Sequence, residues 1–243
     1  MLMDGHILTG TSLGFVLGLR HALDPDHIVA VSTIVSEHKS VRRSSLIGAF
    51  WGLGHTASLL AAGAAVIVLK LSISGHLAMW MEFGVAVMLV LLGLKAVYKA
   101  LGVSRIHLHR HRHQGHGRGH IHIHVHRPGE EHVHHHAHLL DVGAQPFCVG
   151  LIHGLAGSAG LMLLVLGTIP SAVAGLVYIA MFGLGSVGGM LVMSSLISLP
   201  FVFSAKRFRI LGKSLQLVVG LLSAFFGFFL VWQHGFLEHL LGP

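Results

Sequence analysis

Long apolar segments alternate with short polar connections along this chain. An apolar segment of about 20 residues can cross the hydrocarbon core of a bilayer as a helix. Six such segments can be drawn, at residues 7–35, 45–69, 77–101, 147–168, 171–200 and 212–234. The pattern therefore predicts an all-α integral membrane protein with six transmembrane helices.

Pro25 interrupts the first apolar segment. Proline has no N–H to donate, and its ring clashes with the carbonyl four residues earlier, here that of His21. We therefore expect the first helix to break near Leu23 and Asp24. A second half-helix is expected to begin at Pro25, with Asp24 in the capping position.

Two short motifs recur in the chain. Gly18–Leu23 resembles Gly150–Leu155, and Trp51–His55 resembles Phe182–Ser186, at offsets of 132 and 131 residues. Each half would hold three helices, so the second half enters the membrane from the opposite side, as in an inverted repeat. The alternative is a chance match in a chain rich in leucine and glycine. The repeat divides the chain into a first three-helix unit at 1–102, a loop at 103–146 and a second unit at 147–243.

Composition favours a membrane protein over a nucleic-acid-binding one. Only 10% of the residues are charged, against about 25% in a typical soluble domain. The net charge is +7, but three connections hold nearly all the basic residues: Lys39, Arg42 and Arg43; Lys95, Lys99, Arg105, Arg110, Arg112, Arg118 and Arg127; Lys206, Arg207, Arg209 and Lys213. By the positive-inside rule these connections are cytoplasmic and both termini lie outside.

Ionisable side chains surround the expected break. His21, Asp24, Asp26 and His27 lie at membrane depth, where such residues are costly and usually functional. Imidazole and carboxylate are ligands for divalent transition metals. On an unbroken helix the two histidines would lie about 120° apart, but a break lets them converge. We predict a metal site of His21, Asp26 and His27, with Asp24 as a weaker candidate; the alternative is a proline kink with a capping aspartate.

Three further residues are candidates for the metal pathway. His55 follows Trp51-Gly52-Leu53-Gly54 in the second segment, where the glycines let another helix approach, and we expect it to be a ligand. A structural histidine bound to a neighbouring helix is the alternative. His153 occupies the repeat position of His21 but lacks the following Asp-Pro-Asp-His sequence, so it is a weaker candidate. Glu82 is a candidate for the entry side, or else an interfacial carboxylate.

The loop at 103–146 is rich in histidine. Fourteen histidines lie between His107 and His138, and tracts of this composition bind metal. The segment is too polar to form a core, so we expect it to be disordered without metal. We expect auxiliary metal binding by His107, His109, His111, His113, His122, His124, His126, His134, His135 and His136.

These motifs resemble the nickel–cobalt permease family, and most closely its short six-span branch of urease-accessory nickel transporters. The resemblance is carried by Leu17–Ser36, Gly48–Leu60 and Val149–Gly160. It implies membrane passage of Ni²⁺ or Co²⁺, with His21, Asp26 and His27 matching the family signature and His55 its second histidine motif.

The predicted function is transport of Ni²⁺ or Co²⁺ by alternating access, with one half rocking against the other and uptake as the expected direction. No cofactor is expected, and the partners are the ion, the bilayer and a cytoplasmic metallochaperone, not nucleic acid. One alternative is efflux of nickel, cobalt or zinc, because related short proteins with histidine-rich loops include exporters. The alternative from another class is a membrane-bound acyltransferase in which Asp26 orients His21 as a general base.

Overall fold

The computed structural model describes residues 2–69, 74–102, 106–111, 120–125, 139–156, 171–207 and 209–233. These residues form seven helices and two strands: α1 (Leu2–His21), α2 (Pro25–Val35), α3 (Val41–Leu69), α4 (Gly75–Ala100), β1 (Ile106–His111), β2 (His120–Val125), α5 (Leu139–Ala156), α6 (Ala172–Arg207) and α7 (Arg209–Gln233). The helical fold class is confirmed, with a small strand pair added.

Four of the described helices are long and apolar enough to cross a membrane. They span Val41–Val68, Gly75–Ala100, Ala172–Ser204 and Ile210–Gln233. They correspond to the second, third, fifth and sixth predicted segments. The fourth predicted segment begins in α5 and continues beyond Ala156 into residues outside the described part of the chain, so the count of six stays a prediction.

The break in the first segment lies where proline chemistry requires it. Helix α1 ends at His21 and α2 begins at Pro25, with Asp24 in an extended conformation between them. The amide of Leu23 donates to the carbonyl of Arg20 at 2.8 Å, which tightens the last turn of α1. One expectation was wrong in detail: Asp24 holds the N-cap position, but its carboxylate makes no capping hydrogen bond and binds His21 instead.

Helices α1 and α6 run parallel in close contact. Gly14 lies against Tyr178 and Gly18 against Phe182, so the contacts advance in the same direction along both helices. A Cβ at Gly18 would collide with the carbonyl oxygen of Phe182. Glycine is therefore required there, as at the close helix crossings typical of membrane proteins.

Helices α3 and α5 form a second parallel pair of the same kind. Gly150 lies against the carbonyl of Trp51, and Gly154 lies one turn further along, against Ser58. Here too a side chain on the glycine would strike backbone atoms of the partner helix. Each of these two pairs joins a helix from the first half of the chain to one from the second half.

Helices α3 and α6 run antiparallel between these pairs. Gly52 lies against Val187, and Gly183 lies against Thr56, so the contacts advance in opposite directions. The Thr56 hydroxyl donates to the carbonyl of Gly183 at 3.1 Å. Helix α4 packs separately on α7, where Ser223 donates to the carbonyl of Leu89.

The largest hydrophobic cluster lies behind α2. It is built from buried side chains of α2, α3, α4 and α6, among them Val31, Val35, Ile47, Leu89 and Met190. This packing fixes the short half-helix α2, which begins with Pro25, against the longer helices.

Polar contacts join the C-terminal end of α2 to the C-terminal end of α4. Glu37, just after α2, forms an ion pair with Lys99 of α4. Burial is the main cause that lowers the pKa of the adjacent His38; the charges of Lys99, Arg43 and Lys95 lower it further, against an opposing effect of Glu37. Several basic residues of different connections therefore lie close together at one end of the bundle.

The two strands lie within the histidine-rich loop and were not predicted. They pair antiparallel, with His107 opposite His124, His109 opposite His122 and His111 opposite His120. The sequence Ile-His-Leu-His and its partner His-Ile-His-Ile-His alternate with a period of two, which is a strand pattern. Residues 139–146 of the predicted loop also differ from the expectation, because they form the start of α5. His113, His126, His134, His135 and His136 lie outside the described residues, and disorder there stays a prediction.

The glycine contacts generate a test of the packing. Gly150→Ala should lower the free energy of unfolding by about 1–3 kcal/mol, the usual cost of overpacking, because the new methyl group meets the carbonyl of Trp51. Gly84→Ala is the matched control, since a Cβ there has open space. Thermal unfolding of detergent-purified protein measures both. Equal stability of the two variants would contradict the close α3–α5 contact.

Candidate metal site

Four histidines from four helices meet beside the break. His21 ends α1, His27 lies in the first turn of α2, His55 lies within α3, and His153 lies near the end of α5. The ring centroid of His27 lies 4.1 Å from that of His153 and 4.4 Å from that of His21. The His55 ring lies 5.1 Å from His21 and 5.2 Å from His27. All four are buried.

Asp24 orients the first of these rings. Its carboxylate accepts a hydrogen bond from Nδ1–H of His21 at 2.6 Å. An ionised carboxylate can only accept, so this contact places the proton on Nδ1 and the lone pair on Nε2. Nε2 of His21 lies 3.2 Å from Nε2 of His55. A carboxylate behind an imidazole in this way is typical of histidines that bind metals.

Asp26 joins the two halves of the chain. One carboxylate oxygen accepts from the backbone N–H of His27 at 3.0 Å and lies 3.2 Å from its Nδ1. The other oxygen accepts from Nε2–H of His153 at 2.9 Å. A single carboxylate therefore holds one imidazole from each half.

Several buried polar atoms in this region have no hydrogen-bond partner in the described structure. Three are ring nitrogens, namely Nε2 of His27, Nδ1 of His55 and Nδ1 of His153. The other two are Nε1 of Trp51 and Oγ of Ser186. An unpaired buried polar group costs about 1–3 kcal/mol, so three such nitrogens in one cluster make it a candidate ligand site.

The donor atoms form two overlapping groups. One consists of His21, His27 and His55, and the other of Asp26, His27 and His153. Within each group the donor atoms all lie within 4.8 Å of one another, close enough for small side-chain movements to bring them onto one ion. His27 belongs to both groups. The arrangement can offer a divalent ion either three imidazoles or two imidazoles and a carboxylate.

The structure brings together the four residues chosen as principal candidates, His21, Asp26, His27 and His55. His153, a weaker candidate from sequence, lies as close to the centre as they do. Among the described hydrogen bonds, Asp24 contacts the cluster through His21. Glu82 lies in α4 and is a member of neither donor group.

Aromatic side chains that the sequence reasoning did not select form the walls of the cluster. The Trp51 indole stacks on His27 at 6.1 Å and lies 5.6 Å from His153. Phe182 lies 5.3 Å from His21. The sequence did contain a signal for them, because these two residues occupy matching positions in two similar motifs, Trp51–His55 and Phe182–Ser186.

The acyltransferase alternative fails on its proposed pair. Its requirement is that Asp26 orient His21, whereas His21 is held by Asp24 and Asp26 is bonded to His27 and His153.

Comparison with known proteins shows the family. The family model described as high-affinity nickel-transport protein matches residues 7–157. Over 242 residues the chain is 40% identical to the urease accessory protein UreH of Bacillus sp. (strain TB-90), covering 96% of this chain and 95% of that protein. No solved structure matches the chain.

Two further relatives share shorter or weaker similarity. The high-affinity nickel transport protein of Cupriavidus necator is 31% identical over 83 residues, covering 33% of this chain and 24% of that protein. The chloroplast protein FOR GROWTH AND FERTILITY 2 of Arabidopsis thaliana is 28% identical over 191 residues, covering 78% of this chain and 47% of that protein. The chain thus belongs to the high-affinity nickel-transport protein family, and it is a membrane transporter of nickel and not an enzyme.

Proposed function

We propose that Ni²⁺ passes through the buried cluster of His21, Asp26, His27, His55 and His153. The observation that carries this proposal is the set of unpartnered ring nitrogens beside donor atoms that lie within 4.8 Å of one another. Imidazole favours transition metals over Mg²⁺ and Ca²⁺, which prefer oxygen ligands. Co²⁺ accepts the same donors and is the second candidate cargo.

The two donor groups support a two-position path. Because His27 belongs to both, an ion can move from one group to the other while remaining bound to this residue. The Asp26 carboxylate offsets part of the ion's charge in one position, and the other position is formed by neutral imidazoles. Asp24 keeps His21 oriented without binding the ion.

We propose that the chain is an inverted repeat. The close contact of Gly18 with Phe182 has its counterpart in that of Gly150 with Trp51, at the same offsets of 132 and 131 residues as the sequence motifs. The antiparallel course of α3 and α6, which carry matching motifs, supports the inversion. The six-span topology belongs to this proposal.

We propose alternating access as the mechanism, with moving units that differ from the sequence halves. Rocking one half against the other would separate α1 from α6 and α3 from α5, where helices touch through backbone atoms at Gly18 and Gly150. Helices α3 and α6 also meet through backbone atoms at Gly52, so movement of α1, α3, α5 and α6 together as one unit would keep all of these contacts. Uptake is the proposed direction, since high affinity suits the capture of a scarce ion; efflux is the alternative.

The basic connections are proposed to face the cytoplasm. Lys95 of α4 donates to Gln145 of α5, and Ser45 of α3 is hydrogen-bonded to Ser195 of α6 at 2.7 Å. Together with the Glu37 contact to α4, these bonds support one polar end shared by α2 to α6. The positive-inside rule then assigns that end to the cytoplasm.

The histidine-rich loop is proposed as an auxiliary metal-binding segment on the cytoplasmic side. In the antiparallel pairing of β1 and β2, three histidines of one strand are each opposite a histidine of the other strand. The loop would receive the ion from the membrane site or deliver it there. A cytoplasmic metallochaperone is its proposed partner.

Substitutions in the cluster test the proposed site. His21→Ala, His27→Ala and Asp26→Asn should each abolish Ni²⁺ flux into proteoliposomes of known orientation, because each removes a donor. Asp24→Asn should have a milder effect and lower Ni²⁺ flux about 10–100-fold, since an amide oxygen can still accept a hydrogen bond from His21. His76→Ala is the control, because this exposed residue contacts only Trp80 among the described hydrogen bonds.

The ordering of these variants decides between a metal site and a purely structural cluster. A metal site gives folded, monodisperse protein that lacks flux, with Asp26→Asn worse than Asp24→Asn. Full flux in Asp26→Asn together with loss in Asp24→Asn would refute the ligand assignment.

Cysteine labelling tests the proposed sidedness. In a Cys148→Ser background, Gly115→Cys should react with an impermeant thiol reagent only after the cell membrane is opened. Gly75→Cys, where a side chain has open space, should react on intact cells. Reaction of Gly115→Cys on intact cells would show that the proposed orientation is wrong.

Removing the loop separates its role from that of the membrane site. Deletion of residues 107–138 should lower the number of metal ions bound per chain but leave Ni²⁺ flux measurable, because the cluster lies in the helices. A second variant keeps the length of the loop and replaces its fourteen histidines with asparagine. Complete loss of flux in both folded variants would place the loop in the transport path itself.

A further inference from the structure

Ser186 differs from every other buried serine in the described residues. Six of them donate to a backbone carbonyl: Ser44, Ser58, Ser194, Ser198, Ser204 and Ser223. Serine in an apolar helix usually satisfies its hydroxyl in this way. Ser186 is fully buried, yet its Oγ has no partner in the described structure. Its hydroxyl is therefore available for something other than its own helix.

The packing of α6 on α1 places Ser186 beside the metal cluster. Phe182, one turn earlier on the same face of α6, lies 5.3 Å from the His21 ring. Gly189, about one turn later, lies against Ala22. The backbone nitrogen of Ser186 lies 2.9 Å from the position that a Cβ would take at Gly18. Ser186 is thus bracketed by residues that contact His21 or the residue after it.

The internal repeat assigns Ser186 a counterpart that is already in the cluster. Ser186 follows His55 by 131 residues, the offset that relates Phe182 to Trp51. His55 contributes a nitrogen to the group formed with His21 and His27. Position 186 is the place from which the second half of the chain would present the equivalent donor, and it presents a hydroxyl.

We propose that Ser186 Oγ is the fourth donor to the ion held by His21, His27 and His55. This inference rests on the proposed site. The three imidazoles leave a divalent ion short of four ligands, the smallest number common in protein sites for such ions. A neutral oxygen adds no charge to this position, so the ion is held less strongly there than by an anionic ligand and can move on. The hydroxyl also makes the donor set harder than a thiolate would, which disfavours soft ions.

Two substitutions test the proposal, with Co²⁺ as the spectroscopic probe and Ni²⁺ for affinity. Ser186→Ala should weaken Ni²⁺ binding to the purified full-length protein roughly tenfold or more. Ser194→Ala, in the same helix, is the matched control because its hydroxyl donates to Met190, and its affinity should equal that of the unaltered protein.

Ser186→Cys keeps the size of the side chain and gives a readout that a structural role would not produce. A thiolate bound to Co²⁺ should add a sulfur-to-metal charge-transfer band and shift the binding preference from Ni²⁺ toward Cd²⁺. The loop variant without histidines is the background for these measurements, so that only the membrane site is observed.

His27→Ala in the same assays separates this inference from the proposed site. Both the proposed site and the role of Ser186 are supported if three results are obtained together. His27→Ala loses binding, Ser186→Ala binds more weakly, and Ser186→Cys shows a new band. If His27→Ala loses binding while Ser186→Ala binds normally and Ser186→Cys shows no band, the role of Ser186 is refuted and the site stands. If His27→Ala binds like the unaltered protein, the proposed site itself is wrong.

Discussion

The missing N–H of Pro25 is the constraint on which the rest of the site depends. A continuous helix would place His21 and His27 about 120° apart on its surface, and each would face a different neighbour. The break between α1 and α2 instead brings their rings to a centroid distance of 4.4 Å. It also leaves Asp24 in an extended conformation and places Asp26 in the first turn of α2. Asp24 there contacts His21, and Asp26 contacts His27 and His153. Unwound backbone of this kind is tolerated at membrane depth where it lines a polar cavity.

Glycine supplies the second requirement, which is the approach of the other half of the chain. His153 reaches Asp26 because α5 lies against α3, with Gly150 against the carbonyl of Trp51. Phe182 lies beside His21 because α6 lies against α1 in the same manner. Helices in an apolar solvent gain little from hydrophobic burial against one another, so close van der Waals contact of small residues must hold them. The same contacts restrict which parts of the molecule can move as units during transport.

The cluster contains both satisfied and unsatisfied polar groups, and the distinction has a functional meaning. Asp24 and Asp26 bind the nitrogens that orient His21, His27 and His153. Ring nitrogens on His27, His55 and His153 remain without partners in the described residues. A purely structural network would pair such groups, because an unpaired group is costly in a low dielectric. In the proposed function, a passing cation would pair these nitrogens only for part of a transport cycle, which suits a site that must also release its ion.

Features that depend on residues close together in the sequence could be predicted, and those that depend on distant residues could not. Apolar length predicted the long helices, and proline stereochemistry predicted the break to within a residue, since both depend on neighbours along the chain. The alternation of histidine with isoleucine and leucine in β1 and β2 is also a local pattern. The strands were missed because the polar, histidine-rich composition led us to expect disorder.

The sequence by itself identified four residues of the proposed site, His21, Asp26, His27 and His55, because ionisable groups are rare in apolar segments. Only the tertiary structure decided which carboxylate serves which imidazole, that His153 completes the cluster, and that Ser186 alone among the buried serines of the described helices lacks a partner. The positions of His153 and Ser186 depend on where α5 and α6 cross α3 and α1, helices that lie far apart along the chain. Hydrogen bonds require their atoms within about 3 Å, and no periodicity in a sequence specifies distance on that scale.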